Sequence, residues 1–328
     1  MFANFSQGGC MMHLSLLQEN MTFEQFCTRY RTERDCIEML IRIRWPDGYR
    51  CPICACAHAY QISTRRLPLF ECRSCRYQAS VISGTIFEGS RTSLSRWFQA
   101  IYLHANPSGI SATRLSEIIG VTYKTAWLIG HKLRHAMQTA NNQDKLTGNV
   151  QISFDRYGSL SGGPQFIPKF NHPMVIGASI NRQSETEQIM IRQIYDEPVE
   201  YFSTRFNGDE AFANEHVDIS KAQLTKFLPF HNKNRSTSTS KLAILLDNWL
   251  NDTFHGIGAK HLQAYIDQFC YRFNMLKKKL SSSLDLLRWC AITATITYKS
   301  LVLLKTRRQA LPLNSNTRKN RFVSAAAV

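Results

Sequence analysis

Cys51-Pro-Ile-Cys54 and Cys72-Arg-Ser-Cys75 are two Cys-x-x-Cys pairs with 17 residues between them. A knuckle turn brings the sulfurs of residues i and i+3 to a shared point. Two such pairs supply four thiolates, the closed tetrahedral set of a structural zinc site. Between them run Tyr60-Gln-Ile-Ser-Thr64 and Leu69-Phe-Glu-Cys72, two strand-like arms joined by the basic Arg65-Arg66-Leu67-Pro68. This is the layout of a zinc ribbon, and it sets the N-terminal fold. Cys56 and His58 are rival ligands nearby, although the set of four needs neither. With no coordination position left open, the single zinc ion supports a fold too small to support itself and takes no part in catalysis. Cys10, Cys27, Cys36, Cys270 and Cys290 lack partners at metal spacing and read as small apolar filler.

On the N-terminal side, Phe23, Phe26, Tyr30, Cys36, Met39, Leu40 and Ile43 recur at helical spacing behind Thr22 as N-cap, up to the turn Pro46-Asp47-Gly48. On the C-terminal side the pattern is helical from Ser93 to Met137. Within it, Ser111–Trp127 reads as a helix-turn-helix. Leu115, Ile118 and Ile119 give the first helix an apolar face, Gly120 supplies the turn, and Thr122 caps a second helix with Ala126, Trp127, Ile129 and Leu133 inward. The first turn of that helix presents Tyr123, Lys124 and Thr125, and its later turns are expected to present Lys132 and Arg134. Recognition helices meet bases with their N-terminal residues. Thr122, Tyr123, Lys124, Lys132 and Arg134 are therefore candidate DNA contacts, as are Arg65 and Arg66 on the ribbon.

Beyond a polar break at Asn141–Asp144, three strand-like runs follow: Asn149–Phe154, Met174–Ile180 and Gln188–Ile194. Residues 213–240 are polar and weakly patterned, and helical pattern returns from Lys241 to about Leu304. The 328 residues hold 40 Lys+Arg against 24 Asp+Glu, a net charge of +16, with 44% hydrophobic residues. That composition excludes wholesale disorder and predicts an anionic partner, usually nucleic acid. The surplus is uneven: 17 basic and 10 acidic residues up to 150, 12 and 13 from 151 to 276, and 11 and 1 from 277 to 328. The N-terminus lacks the features of a secretory signal, and Arg288 and Lys299 interrupt the most apolar stretch, Leu284–Leu304. No membrane segment is expected, and a reducing cytoplasm is the default.

Several phrases carry a likeness: Ile43-Arg-Trp-Pro-Asp-Gly48, the two cysteine pairs, Ser83-Gly-Thr-Ile-Phe-Glu88, Gly120-Val-Thr-Tyr-Lys-Thr-Ala-Trp127, and the run His255–Asn274. The chain resembles the zinc-ribbon transposases of bacterial insertion sequences. The resemblance implies an α+β multidomain chain: a loose leader (1–20), an N-terminal helix and zinc ribbon (21–90), a helix-turn-helix region (91–140), a ribonuclease-H-like α/β domain with a helical C-terminal part (148–305), and a basic tail (306–328). It also implies DNA partners at element ends, a homo-oligomer, a place at the bacterial nucleoid, and two Mg²⁺ ions held by carboxylates for an in-line displacement at phosphorus.

The carboxylates are not where the resemblance puts them. A phrase like Gly-x-Val-Glu-x-Asp corresponds to Gly148-Asn-Val-Gln-Ile-Ser153, and Thr-Asp-Gly corresponds to Phe206-Asn207-Gly208, so Ser153 and Asn207 stand at the expected aspartates. Leu246-Asp247-Asn-Trp249 has Asp247 in place of a lysine. Mg²⁺ dehydrates reluctantly and is held through carboxylates. The expected function is thus a transposase-like DNA-binding protein with an impaired catalytic centre and no Mg²⁺. One alternative is an active enzyme using the displaced Asp155, Asp209 and Asp247, with Asp155 and Asp209 on strands. Another is a transcription regulator built on ribbon and helix-turn-helix alone.

Overall fold

The computed structural model describes residues 21–158, 172–194, 208–226, 237–279 and 282–303. The leader, the basic tail and Asn207 lie outside them. The chain divides into two compact units, one formed by Met1–Gln143, Trp249–Ile257 and Ala264–Leu304, the other by Asp144–Asn248, Gly258–Gln263 and Lys305–Val328.

The first unit opens with helices α1 (Phe23–Arg29) and α2 (Glu33–Arg44), each begun by a reciprocal capping box, Thr22 with Gln25 and Thr32 with Asp35. The ribbon follows as an antiparallel sheet β1 (Ala59–Ile62), β2 (Leu69–Cys72) and β3 (Gln78–Ser80), in the order β1-β2-β3. Then come α3 (Leu94–Ala105), α4 (Ala112–Ile119) and α5 (Tyr123–Asn141). Gly120 ends α4 in the left-handed conformation (φ 63°), and Thr122 caps α5 by accepting from the Thr125 amide. One core joins Phe26, Leu40, Phe87, Trp97, Phe98, Leu115, Ile129 and Leu133.

That core also takes in Tyr271 and Met275 from α8 (Ala259–Lys277) and Leu286, Leu287 and Cys290 from α9 (Ser282–Ile292). The sequence reading placed these helices in one continuous domain with the strands. In the structure α9 packs against α3 and α5.

In the second unit, β4 (Leu146–Tyr157), β5 (His172–Ile180) and β6 (Thr186–Gln193) form an antiparallel meander, and β7 (Val217–Lys226) adds parallel to β4, giving the order β6-β5-β4-β7. Between β6 and β7 lies α6 (Gly208–His216), and α7 (Ser238–Phe254) follows β7. Leu146, Val150 and Ile152 of β4 face a core with Val175, Met190, Phe212 and Val217. Gln151, Ser153 and Asp155 alternate onto the opposite face. The sequence missed β7 because its apolar positions change parity, from Val217 and Ile219 to Ala222 and Leu224, across a register shift opposite Leu146 and Gly148.

Gly177 on β5 has no room for a side chain, since a Cβ there would lie 2.6 Å from the Phe212 ring and 2.8 Å from Leu146 Cδ1. Gly177→Ala should therefore destabilise this unit by about 1–3 kcal/mol through overpacking, read as a lower denaturant midpoint.

Candidate functional site

The two cysteine pairs build matching knuckles. Cys51 N–H donates to Cys56 O and Ala55 N–H to Cys51 O; Cys72 N–H donates to Tyr77 O and Arg76 N–H to Cys72 O. Each knuckle needs a left-handed residue just after its second cysteine, and Ala55 (φ 58°) and Arg76 (φ 60°) take that role. Neither is a glycine, so the residue types carry no sign of it. Cys51 Sγ lies 3.5 Å from Cys75 Sγ, Cys54 Sγ 3.5 Å from Cys72 Sγ, and all four sulfurs fall within 4.8 Å of one another. A tetrahedron with Zn–S bonds of about 2.3 Å has S···S edges of about 3.8 Å, so the four sulfurs suit one zinc ion.

The electrostatics lower two of the four thiols. Burial pushes the Cys51 thiol up, but the Cys54 and Ile53 amides aimed at its sulfur bring it down to about 6. The Cys75 and Ser74 amides lower Cys72 against burial. The Tyr77 amide lowers Cys75, yet burial and its three cysteine neighbours push it up to about 12. The rival ligand Cys56 turns its Sγ to the His58 carbonyl at 3.8 Å.

The ribbon is tied to the helices around it. Arg44 donates to the carbonyls of Ser80, Val81 and Ser83, and Trp45 packs on Tyr49 and Phe70. Arg66 pairs with Glu33 at 2.8 Å, while the other Glu33 oxygen accepts from the Leu94 amide and so caps α3. Arg65 is exposed and makes no such tie among the described residues.

At the start of α5, Thr122, Tyr123 and Lys124 are exposed as expected, Tyr123 by 58%. Lys132 and Arg134 are not. Lys132 Nζ donates to Ile86 O at 2.9 Å and Glu88 O at 3.3 Å, and Arg134 Nε donates to Gln268 Oε1 at 2.8 Å with its guanidinium 3.8 Å over the Tyr265 ring. Both are buried. The expectation assumed an amphipathic helix with a wet outer face, but α5 is enclosed beyond its first turn, and these two cations are satisfied inside the protein. Neither reaches solvent to meet a phosphate.

In the second unit, Ser153 and Asp155 share a face of β4, half-buried, and the Arg156 amide donates to Asp155 Oδ1. Asp247 on α7 has one oxygen, Oδ1, buried with no hydrogen-bond partner. Burial, then the negative charge of Asp155, push the Asp247 carboxyl up to about 7. Two of the three displaced acids thus interact through their charges. Asp209 sits in helix α6, not on a strand, so the two-residue strand displacement invoked for it does not apply; the segment's Gly-Asp-Glu start reads as a helix N-terminus once the fold is seen. Among the described residues, only the cysteines form a metal-ligating group of three or more.

With this geometry in place, the comparisons with known proteins can be set beside it. Residues 31–78 match the transposase zinc-ribbon domain family. A relative described as an uncharacterized protein in transposable element ISH50, from Halobacterium salinarum, is 31% identical over 122 residues. That match covers 37% of this chain and 40% of the relative. Both likenesses support a transposase-like protein, and the ribbon's four cysteines could bind one zinc ion. Among the described residues, no helix is long and apolar enough to cross a membrane.

Two outcomes follow from these sites. The purified chain should carry about one zinc per polypeptide, and Cys72→Ser should lose the metal and melt the ribbon, as seen by zinc release to a chromogenic chelator. Asp247 ionises near its ordinary value of 3.8 when unfolded but near 7 when folded, so its contribution to stability falls as pH rises from about 4 to 7. Without added divalent cation, Asp247→Asn should be more stable than wild type, by a margin that widens from pH 5 to 7 and is level above it, in thermal melts.

Proposed function

We propose that this chain is a DNA-binding, transposase-like protein of an insertion element. The observation that carries the reading is the zinc ribbon itself, matched over residues 31–78 to a transposase domain and built around four converging sulfurs. The formal charge of +16 and the exposed Thr122, Tyr123 and Lys124 at the head of a capped helix support duplex DNA as the partner. In this reading α4 and α5 form the helix-turn-helix, and Lys124 meets phosphate. The order β6-β5-β4-β7, an antiparallel meander with a fourth strand parallel to the first, supports a ribonuclease-H-like sheet. Homo-oligomers acting on two element ends, in the bacterial nucleoid, belong to the same reading.

The catalytic centre is read as impaired. Ser153 occupies the strand position where the resemblance expects an aspartate, and a hydroxyl cannot neutralise a divalent cation. A second reading is favoured by one observation: the half-buried Asp247 carboxyl, with one oxygen unpartnered, feels the negative charge of Asp155. Two carboxylates so placed suit one Mg²⁺, which would stabilise charge on attacking and leaving oxygens in phosphoryl transfer.

Binding to labelled duplex DNA at low salt tests the first reading. Lys124→Ala should weaken binding and lower the slope of log affinity against log salt by about 1. A strand-cleavage assay with Mg²⁺ separates the two readings. Impairment predicts no cleavage, whereas cleavage lost in both Asp155→Ala and Asp247→Ala establishes the second.

A further inference from the structure

The ribbon sheet has two unlike faces. On one, Phe70 packs with Trp45 and Tyr49. On the other, the register sets Tyr60, Glu71 and Gln78 side by side across β1, β2 and β3. Glu71 is satisfied within that row, where Arg76 donates to its Oε1 at 3.1 Å and Gln78 to its Oε2 at 2.8 Å. Arg73 N–H donates to His58 O, which carries the ladder one pair past Cys72 and puts Arg73 on the face of Glu71, diagonal to Tyr60. Its guanidinium carbon lies 4.5 Å from the centre of the Tyr60 ring. Tyr60 is still 51% exposed, and Arg73 has no acidic partner among the described residues.

Neither the zinc site nor the helix-turn-helix uses this pair. Residues 49–80 carry Arg50, Arg65, Arg66, Arg73 and Arg76 against Glu71 alone. Zinc among four thiolates is doubly negative, so the ribbon stays positive with its metal bound. A ring in water beside an uncompensated cation suits an anion that carries flat apolar groups, and a nucleic-acid strand is one. In a duplex the faces of the bases are covered by their neighbours, so a side-chain ring gains by stacking only where bases are unpaired. We propose that Tyr60 and Arg73 form a contact site for an unpaired DNA strand, the ring stacking on a base and the guanidinium meeting a phosphate beside it. The inference rests on the DNA-binding reading above for its partner, but uses neither Lys124 nor any duplex contact. Arg73 already lies on the ring before a strand arrives, so less side-chain freedom is left to lose on binding.

The test is binding of full-length, zinc-loaded protein to two labelled probes, a single-stranded oligothymidine and a mixed-sequence duplex, read by fluorescence anisotropy. Wild type should bind both. Tyr60→Ala should weaken single-strand binding about five- to hundredfold, the range of one lost base stack, and leave duplex binding unchanged. Tyr60→Phe should bind like wild type, whereas Tyr60→Leu, with apolar bulk but no flat ring, should lose as much as Tyr60→Ala. Arg73→Gln should lower the single-strand salt slope by about 0.7, and an unchanged slope overturns its part in the site. Zinc content per chain is read for every variant; should Tyr60→Ala lose zinc, the Leu and Phe variants carry the comparison. Single-strand binding untouched in the Ala and Leu variants overturns the inference. An equal loss on both probes also overturns it, since the ring would then serve phosphate contact in general. Wild type that binds duplex but no single strand overturns the inference and leaves the DNA-binding reading intact. Single-strand binding without duplex binding, lost in Tyr60→Leu, upholds the inference and removes the duplex reading. Wild type that binds neither probe removes both.

Discussion

Burial of α5 along all but its first turn constrains most of the larger unit. The helix carries two cations inward, and an unsolvated cation in an apolar interior costs several kcal/mol. The protein meets that demand with its own polar groups. Lys132 takes the carbonyls of Ile86 and Glu88, so the turn Ser83–Glu88 has to lie against α5. Arg134 takes Gln268 and the face of Tyr265, so α8 has to cross at that height. His104 then sits beside fixed positive charge; burial, then Arg134 and Arg272, hold its imidazole neutral, at about 3. What remains for an outside partner is the first turn, where Thr122 caps the Thr125 amide and Thr122, Tyr123 and Lys124 are exposed.

The same logic governs the ribbon, which has little apolar core of its own. Four thiols converge where a larger domain would bury leucines, and the metal they can hold supplies the missing free energy. Orientation comes from elsewhere. Arg44 closes three carbonyls of the segment after β3, and Glu33 links the Arg65-Arg66 loop to the start of α3. One basic residue of that loop is thereby given to structure, and the other is left to water.

How far the sequence could be read depended on whether a feature was local. The cysteine spacing, the capped start of α5 and the strand-like runs of β4, β5 and β6 are set by neighbours within a few residues, and all were legible. The fate of Lys132 and Arg134 was not, because it depends on carbonyls 46 and 44 residues upstream and on an amide 134 residues downstream. Strand β7 was hidden by a register shift that moves its apolar positions from odd to even numbers. The contact of Lys124 Nζ over the Tyr298 ring joins residues with no shared motif, and only the path of α10 (Tyr298–Leu303) reveals it.

The acids of the middle segment are the sharpest case of a partly legible site. Sequence alone placed Asp155 and Asp209 on strands as equivalent substitutes, and the structure separates them by giving Asp209 to a helix and Asp155 to the open face of β4. Asp247, read from sequence as a replacement for a lysine, is the residue whose carboxyl feels the charge of Asp155. A buried carboxylate oxygen with no donor is costly, and an asparagine of the same shape would escape the like-charge repulsion. The destabilising arrangement is therefore confined to one spot, where a cation would convert repulsion between two acids into attraction to a shared ion. Two carboxylates are fewer than a two-ion centre needs, because each ion in such a centre must keep its own charge balanced while bridging the scissile phosphate. Two acids alone would therefore fall short of in-line displacement even with an ion between them, so like-charge repulsion at this spot fits the reading of an impaired centre.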